Sequence, residues 1–415
     1  MVKYRKEIIV ILMISFIIFF LKAVNVLQIE NGLGKPYSII ILIIFFSFIS
    51  IVVQKRIDHN YDSKSINLQN LDILKYICSI LIIILHLRPF LNYYNQLDLA
   101  FNNIVTRICV PIFFMITGYF VSKKEKNNIN YIKEYIKKMI PLYLTWSIIY
   151  LIIIIVVAIV FLPSIINSYL IQINIPLPLI LLLLVILIPL TIIVALFYTG
   201  TYYHLWYFPA VILSLLVLLK WKKKFNPKIL LYISFFLLLF GATETYYGML
   251  PLNIKELISF YYNIFFTTRN FLFFGLFYVV LGYVMGNRKE LYSKYCFEKL
   301  AISFLMLIFE ALILQNTDRL DSNILLSCVP LTYYLFICSV YITEEKKNEK
   351  WKKDLRNFSK YYYLIHPFVI LVLSLTGIIT KNTKPYIQIL VVIIITHIIS
   401  QIIIKVKQKK IKITL

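Results

Sequence analysis

Residues 143–162 read YLTWSIIYLIIIIVVAIVFL, an almost unbroken apolar run. A helix needs roughly 20 such residues to cross the hydrocarbon core of a bilayer. A second run, YIQILVVIIITHIISQIII at 386–404, repeats the pattern further along the chain. Because lipid offers the backbone no hydrogen-bond partner, these runs form helices rather than open strands. The sequence therefore predicts an all-α fold, a polytopic bundle of membrane helices.

Composition supports the membrane assignment. The chain has 415 residues and is 60% hydrophobic, whereas soluble domains are about 45–50% apolar. The net charge is +24, but the Lys and Arg residues lie in the polar segments between the apolar runs. Such residues set orientation and contact anionic headgroups. We therefore expect membrane lipids as partners and no nucleic acid.

Placing the basic clusters in the cytoplasm predicts about twelve membrane helices in a bacterial cell membrane, with both termini cytoplasmic. Two of them, 8–28 and 37–53, form an N-terminal extension, 1–56. No small-residue cleavage site follows the first run, so we expect it to be retained. A ten-helix domain, 57–415, holds predicted spans at 72–90, 103–122, 139–162, 204–220, 228–244, 269–286, 299–315, 323–343, 360–379 and 385–405.

One further apolar segment, PLPLILLLLVILIPLTIIVALFY (176–198), does not fit a scheme in which successive helices cross the membrane in opposite directions. A full crossing there would place the basic run at 220–224 outside the cell, against the charge rule. Its three prolines also interrupt a straight helix. We expect a re-entrant or outer-leaflet hairpin.

Ionisable residues interrupt the apolar stretch NLDILKYICSILIIILHLRPF at 70–90. Lys75 and His86 are eleven positions apart, and eleven steps of 100° end about 20° beyond three full turns. Both therefore project from one helix face, roughly 16 Å apart, and Asp72 shares that side. Ionisable groups within a span usually face the bundle interior. The alternatives are that Lys75 extends to the interface and that His86 only binds a neighbouring group.

Further polar residues occur at a matched predicted depth, in the outer half of other spans. This set comprises Arg107, His204, Arg269 and Glu310. With His86 they are expected to converge on one pocket, in which the histidine or the carboxylate accepts a proton. The arginines would bind phosphate or a developing oxyanion. Anchoring of the arginines to lipid phosphates is the alternative.

A second histidine motif, SKYYYLIHPFVI at 359–370, is predicted at the cytoplasmic side. Ser359 and His366 are two turns apart on one helix face. The alternative is a local helix start, in which Ser359 caps the helix.

Four sequence blocks resemble the acyltransferase 3 family of membrane acyltransferases. They are LDILKYICSILIIILH (71–86), RICVPIFFMITGYFVSKK (107–124), HLWYF (204–208), and RNFLFFGLFYVVLGY (269–283) together with YYLIHP (362–367). The family's first motif is an arginine, ten residues and a histidine. His86 occupies the histidine place, and Lys75 stands where the family has arginine, which loses the guanidinium fork.

The resemblance implies transfer of an acyl group, commonly acetyl, from cytoplasmic acyl-CoA to a hydroxyl of a cell-envelope glycan or lipid-linked saccharide. It implies no metal. His86 and Glu310 are then the candidate catalytic residues. The candidate substrate-binding residues are Lys75, Asp72, Arg107, His204, Trp206, Arg269 and His366.

Within the family, the chain is most similar to the membrane domain of vancomycin-resistance serine racemases, for example in YHLWYFPAVI (203–212). Those proteins continue into a racemase domain, whereas this chain stops at Leu415, so we expect no racemisation. Because of the similarity to that subgroup, a carrier for a small amino acid such as serine is a competing function. A glycan flippase is a third function, which would not explain the matched histidines.

Overall fold

A computed structural model describes residues 68–93, 95–165, 187–288, 291, 293, 295–315, 317–341 and 350–413. Within these ranges every regular element is a helix and there is no β-strand. The predicted all-α class is confirmed for this part of the chain. The two-helix extension predicted at 1–56 lies outside the described residues.

The helices generally cover the predicted apolar runs, with differences at their ends. In chain order they are α1 Asn70–Leu87, α2 Cys109–Glu125, α3 Tyr131–Ile165, α4 Leu187–Thr199, α5 Tyr207–Trp221, α6 Pro227–Ala242, α7 Leu252–Phe265, α8 Leu276–Asn287, α9 Cys296–Gln315, α10 Cys328–Tyr341, α11 Lys350–Leu375 and α12 Pro385–Ile413.

Helix ends follow local sequence. At the end of α1, Arg88 adopts the left-handed conformation with φ 45°, and its backbone N–H donates to the carbonyl of Ile84. Pro89 follows and cannot continue the helix. Before α8, the side chain of Asn270 accepts hydrogen bonds from two backbone N–H groups of the π-helical turn Phe271–Gly275. This cap satisfies donors that the first helical turn leaves open.

Among the residues that the structure describes, five helical segments are long and apolar enough to cross a membrane: Asn70–Leu87, Leu97–Glu125, Tyr131–Val160, Asp354–Leu375 and Pro385–Gln408. Shorter apolar helices include α4, α5, α6 and α10. The fold is that of a membrane helical protein, and the count of about twelve crossings stays a prediction. So does the hairpin at 176–198, of which only the part from Leu187 onward is described.

Two helices differ from the sequence-based boundaries in ways that matter below. α11 begins at Lys350 and not at 360, where the predicted span begins, because its first turns are polar and give no apolar signal. α7 was not predicted at all, because polar residues interrupt its apolar ones. Its exposed apolar residues include Leu257 and Phe260, and Ile258 is buried.

The described residues divide into two compact units. The first comprises the described parts of 68–116, 239–268 and 288–413, and the second comprises the described parts of 117–238 and 269–287. α1 and α7 belong to the first unit, with α9 to α12. α3, α4, α5 and α8 belong to the second. Each unit has its own buried core.

In the second unit, α2 and α8 approach each other closely at two glycines. A Cβ atom at Gly118 would lie 2.0 Å from the carbonyl oxygen of Val279, and one at Gly286 would lie 2.5 Å from the Cβ of Ser122. Only a residue without a side chain permits this backbone contact.

Candidate active site

α1 and α11 lie side by side in the first unit and run in the same direction. Their contacts follow both helices in order: Asp72 with Arg356, the Lys75 carbonyl with Ser359, Tyr76 with Tyr362, and His86 with His366. Asp72 and His86 therefore face the same neighbouring helix, as the helical spacing predicts. Polar and aromatic groups thus occupy this face of α1 from one end to the other.

The two motif histidines are in contact. The rings of His86 and His366 stack with centroids 5.4 Å apart and planes 19° from parallel. We predicted His86 in the outer half of the membrane and His366 at the cytoplasmic side, and their contact shows that this separation was wrong. The side of the membrane on which the pair lies stays a prediction. Because α11 begins at Lys350, His366 lies far along the helix, at the level reached by His86 in the parallel α1.

His366 is completely buried, and a backbone contact sets its tautomer. Its Nδ1 lies 2.8 Å from the carbonyl oxygen of Tyr362, one turn earlier on α11. A carbonyl oxygen can only accept, so Nδ1 carries the proton and donates. In the neutral ring Nε2 is then the basic nitrogen. His86 is only partly buried and lies over this fixed ring.

At the other end of α1, Asp72 binds two cations. Nζ of Lys75 lies 3.0 Å from Asp72 Oδ1, and Arg356 donates through Nε and Nη2, the shortest contact being 2.6 Å. Sequence reasoning selected Lys75 and Asp72 but missed Arg356. Arg356 lies three residues before Ser359. This spacing could indicate a shared helix face only if α11 was known to begin before Arg356.

Arg107 lies in a short 3₁₀ turn, Thr106–Ile108, that packs against both α1 and α10. Its guanidinium donates to the side-chain oxygens of Asn323, at 2.9 Å, and Asn103, at 3.3 Å. It therefore belongs to the same unit as His86, and two amides orient it.

Glu310 is buried on α9 and accepts from three donors. Tyr246 donates its hydroxyl to Oε1, the backbone N–H of Leu326 donates to the same oxygen at 2.7 Å, and that of Ser327 donates to Oε2 at 2.8 Å. The two backbone donors precede α10, so the carboxylate joins α9 to the start of that helix. Its predicted catalytic role stays a prediction.

A second buried carboxyl, Glu244, was missed by the sequence reading. It follows the end of α6 and accepts from the backbone N–H and hydroxyl of Thr268. Burial is the main cause that raises its pKa, and the adjacent carboxyl of Asp321 raises the pKa further. Asp321 in turn binds Asn323, which also accepts from Arg107. A polar network therefore connects Arg107 to Glu244.

The second unit holds the remaining predicted residues. His204 is buried against the ring of Tyr150, edge to face with centroids 4.9 Å apart. The Arg269 guanidinium lies 4.8 Å from the centre of the Trp206 ring, within cation–π distance. Nearby, Gly200 has φ 78°, and a Cβ there would meet the backbone N of Trp206 at 2.4 Å. The HLWYF block is thus tightly packed.

The predicted residues therefore separate into two groups. The structure places His86, Arg107, Glu310, Lys75, Asp72 and His366 in the first unit, and His204, Trp206 and Arg269 in the second. Convergence of all of them on one pocket stays a prediction. In the described ranges no group of three or more His, Cys, Asp or Glu side chains is arranged to hold a metal ion.

Most of the chain is similar to one known protein family. Residues 68–405 match a family model described as an acyltransferase domain, and this is most of the chain. The chain belongs to the acyltransferase 3 family. The match begins just before α1 and ends within α12, so it includes both histidines and both cations of the α1–α11 pair. The expected resemblance is confirmed, and membership supports a membrane acyltransferase.

The relatives found among curated proteins are more distant. An amino-acid racemase of Enterococcus faecalis is 25% identical over 352 residues, which cover 82% of this chain and 46% of that protein. A serine/alanine racemase of Enterococcus gallinarum is 25% identical over 313 residues, covering 73% and 41%. The chain thus spans less than half the length of these curated relatives. No solved structure gives a significant match.

Proposed function

We propose that this acyltransferase 3 member transfers an acyl group, acetyl in the simplest case, from cytoplasmic acyl-CoA to a hydroxyl of an extracytoplasmic glycan or lipid-linked saccharide. The observation that carries the proposal is the stacked pair His86–His366 within the family domain. A partly exposed imidazole beside a buried, oriented one suits proton transfer from a hydroxyl.

The roles follow from the contacts. His86 accepts the proton of the attacking hydroxyl, because its ring is partly exposed, and passes it to the CoA thiolate that leaves when the C–S bond of the thioester breaks. His366 holds that ring in place by stacking, since its own orientation is determined by the Tyr362 carbonyl. Arg107, held by two amide oxygens, supplies charge for the oxyanion that develops on the acyl carbonyl. Glu310 remains a candidate base.

The second unit supplies candidate substrate contacts. His204 and Trp206 are buried in an aromatic cluster, and the partly exposed guanidinium of Arg269, which lies over the Trp206 ring, is the group that suits a hydroxyl or phosphate. In this proposal all three stay candidate substrate-binding residues.

A carrier for a small amino acid such as serine is the second candidate. The observation in its favour is the 25% identity to proteins named amino-acid and serine/alanine racemases. Carrier sites lie near the bilayer midplane, at broken helices. The π-helical turns at Ala195–Thr199 and Phe271–Gly275 are irregular, but they are hydrogen-bonded helix and not breaks of this type.

One experiment separates the two functions. Purified protein in vesicles is incubated with radiolabelled acetyl-CoA, and acyl transfer and CoA release are measured beside labelled-serine uptake. We expect CoA release that falls roughly 10²–10⁴-fold in His86→Ala, the usual contribution of a general base. His59→Gln is the matched control, because it changes a histidine in a polar stretch of the sequence to which no role is assigned. Serine accumulation without CoA turnover would contradict the acyltransferase proposal.

A further inference from the structure

The ion-paired group Asp72–Lys75–Arg356 contains more positive charge than its structure needs. Asp72 is almost fully buried, its side chain 3% exposed, and its single negative charge faces two cations. One cation is sufficient to neutralise a buried carboxylate. The second leaves a net positive charge at this end of α1, which the basic clusters predict to be cytoplasmic.

Arg356 is oriented by this pairing. It contacts Asp72 through Nε and Nη2, so Asp72 does not use the third nitrogen, Nη1. The Arg356 side chain is 57% exposed. The carboxylate thus acts as a fixed support that holds a planar guanidinium at the surface. A guanidinium held in this way has less side-chain freedom to lose when it binds an anion.

Two more cations extend the group on the same side. Lys360 lies one turn after Arg356 on α11, and Lys407 projects from α12. Both ammonium groups lie over the ring of Tyr361, at 5.6 and 5.7 Å from its centre. Both side chains are exposed. Together with Lys75 and with Arg356, which lies one turn earlier on α11, these two lysines add positive charge that suits a ligand with several negative charges.

An arginine from another helix supplies a group that Lys75 lacks. The ammonium of Lys75 is a point charge that cannot bind phosphate through a fork. Arg356 lies against the same carboxylate as Lys75, although it is 284 positions away from Asp72 in the chain. It therefore places a guanidinium on the same carboxylate as the ammonium of Lys75.

We propose that Arg356, held by Asp72 beside Lys75, binds the phosphates of a nucleotide-type acyl donor, with Lys360 and Lys407 extending the site. The inference rests on the proposed acyltransferase function. The same cations also suit the phosphate of an anionic lipid headgroup, so the experiment distinguishes these two sources.

The test measures CoA binding and the KM for acetyl-CoA with the full chain in bilayer discs of phosphatidylcholine. Arg356→Gln should weaken CoA binding about 10- to 100-fold, the usual effect of losing a charged hydrogen-bond donor. The double variant Arg356→Gln with Lys75→Arg should recover most of this loss, because it places the fork on α1. Lys126→Gln, which removes an exposed cation of the second unit, should leave binding unchanged.

Each result has a separate meaning. Unchanged CoA affinity in Arg356→Gln, with wild-type turnover intact, would overturn the inference and leave the proposed function standing. No CoA binding and no turnover by the wild-type protein would overturn the proposed function and the inference with it. If Arg356→Gln weakens CoA binding only in discs that contain phosphatidylglycerol, Arg356 binds lipid, and this result also overturns the inference. If Arg356→Gln weakens CoA binding in discs without anionic lipid, and Lys75→Arg restores that binding, the inference is supported.

Discussion

Replacing Glu310 by glutamine tests whether this buried carboxylate acts through structure or through chemistry. Its two oxygens accept from Tyr246, Leu326 and Ser327. Glutamine keeps one oxygen and brings an N–H₂ group, which can only donate. Whichever way the amide is oriented, at least one donor of this set loses its acceptor and faces another donor.

The magnitude follows from these contacts. Loss of one hydrogen bond to a charged acceptor costs about 1.5–3 kcal/mol, and a buried donor left unpaired costs about 1–3 kcal/mol. We therefore expect Glu310→Gln to lower the free energy of unfolding by about 3 kcal/mol or more. For a unit of this size that corresponds to a fall in Tm on the order of 5–10 °C.

The assay is thermal unfolding in detergent, measured beside CoA release at a temperature where both proteins are folded. Glu256→Gln is the matched control, because Glu256 is exposed on α7 and its substitution should leave Tm unchanged. A variant with the wild-type Tm but no CoA release would refute the structural reasoning. Glu310 would then act chemically, as the sequence-based assignment holds.

Two further predictions concern packing and pH. Gly118→Ala should lower Tm, because the added Cβ would meet the Val279 carbonyl and such overpacking costs about 1–3 kcal/mol. A wild-type Tm in this variant would contradict the close contact between α2 and α8. Burial and Asp321 raise the pKa of Glu244, so its contribution to stability is present at acidic pH and is lost as pH rises through the folded-state pKa. Glu244→Gln should flatten the Tm profile in that range, and an unchanged profile would contradict the assignment.

The local sequence was sufficient to predict the membrane class of the protein and the positions of most helices. Twenty consecutive apolar residues require a lipid-facing helix whatever surrounds them, because hydropathy and helix length are properties of the segment itself. The helical spacing also placed Asp72 and His86 toward one neighbour, since a rigid helix fixes the angle between its side chains. The acyltransferase family followed from the same motifs.

Partners distant in the chain needed the tertiary structure. No local pattern extends α11 back to Lys350, because its first turns are polar and are stabilised by packing and ion pairs with α1. That extension moved His366 beside His86 and brought Arg356 to Asp72. Likewise, the three donors to Glu310 come from segments whose proximity depends on the path of the connection before α10. Sequence determined which residues are costly to place in a membrane, and only the packing of helices decided which groups compensate that cost.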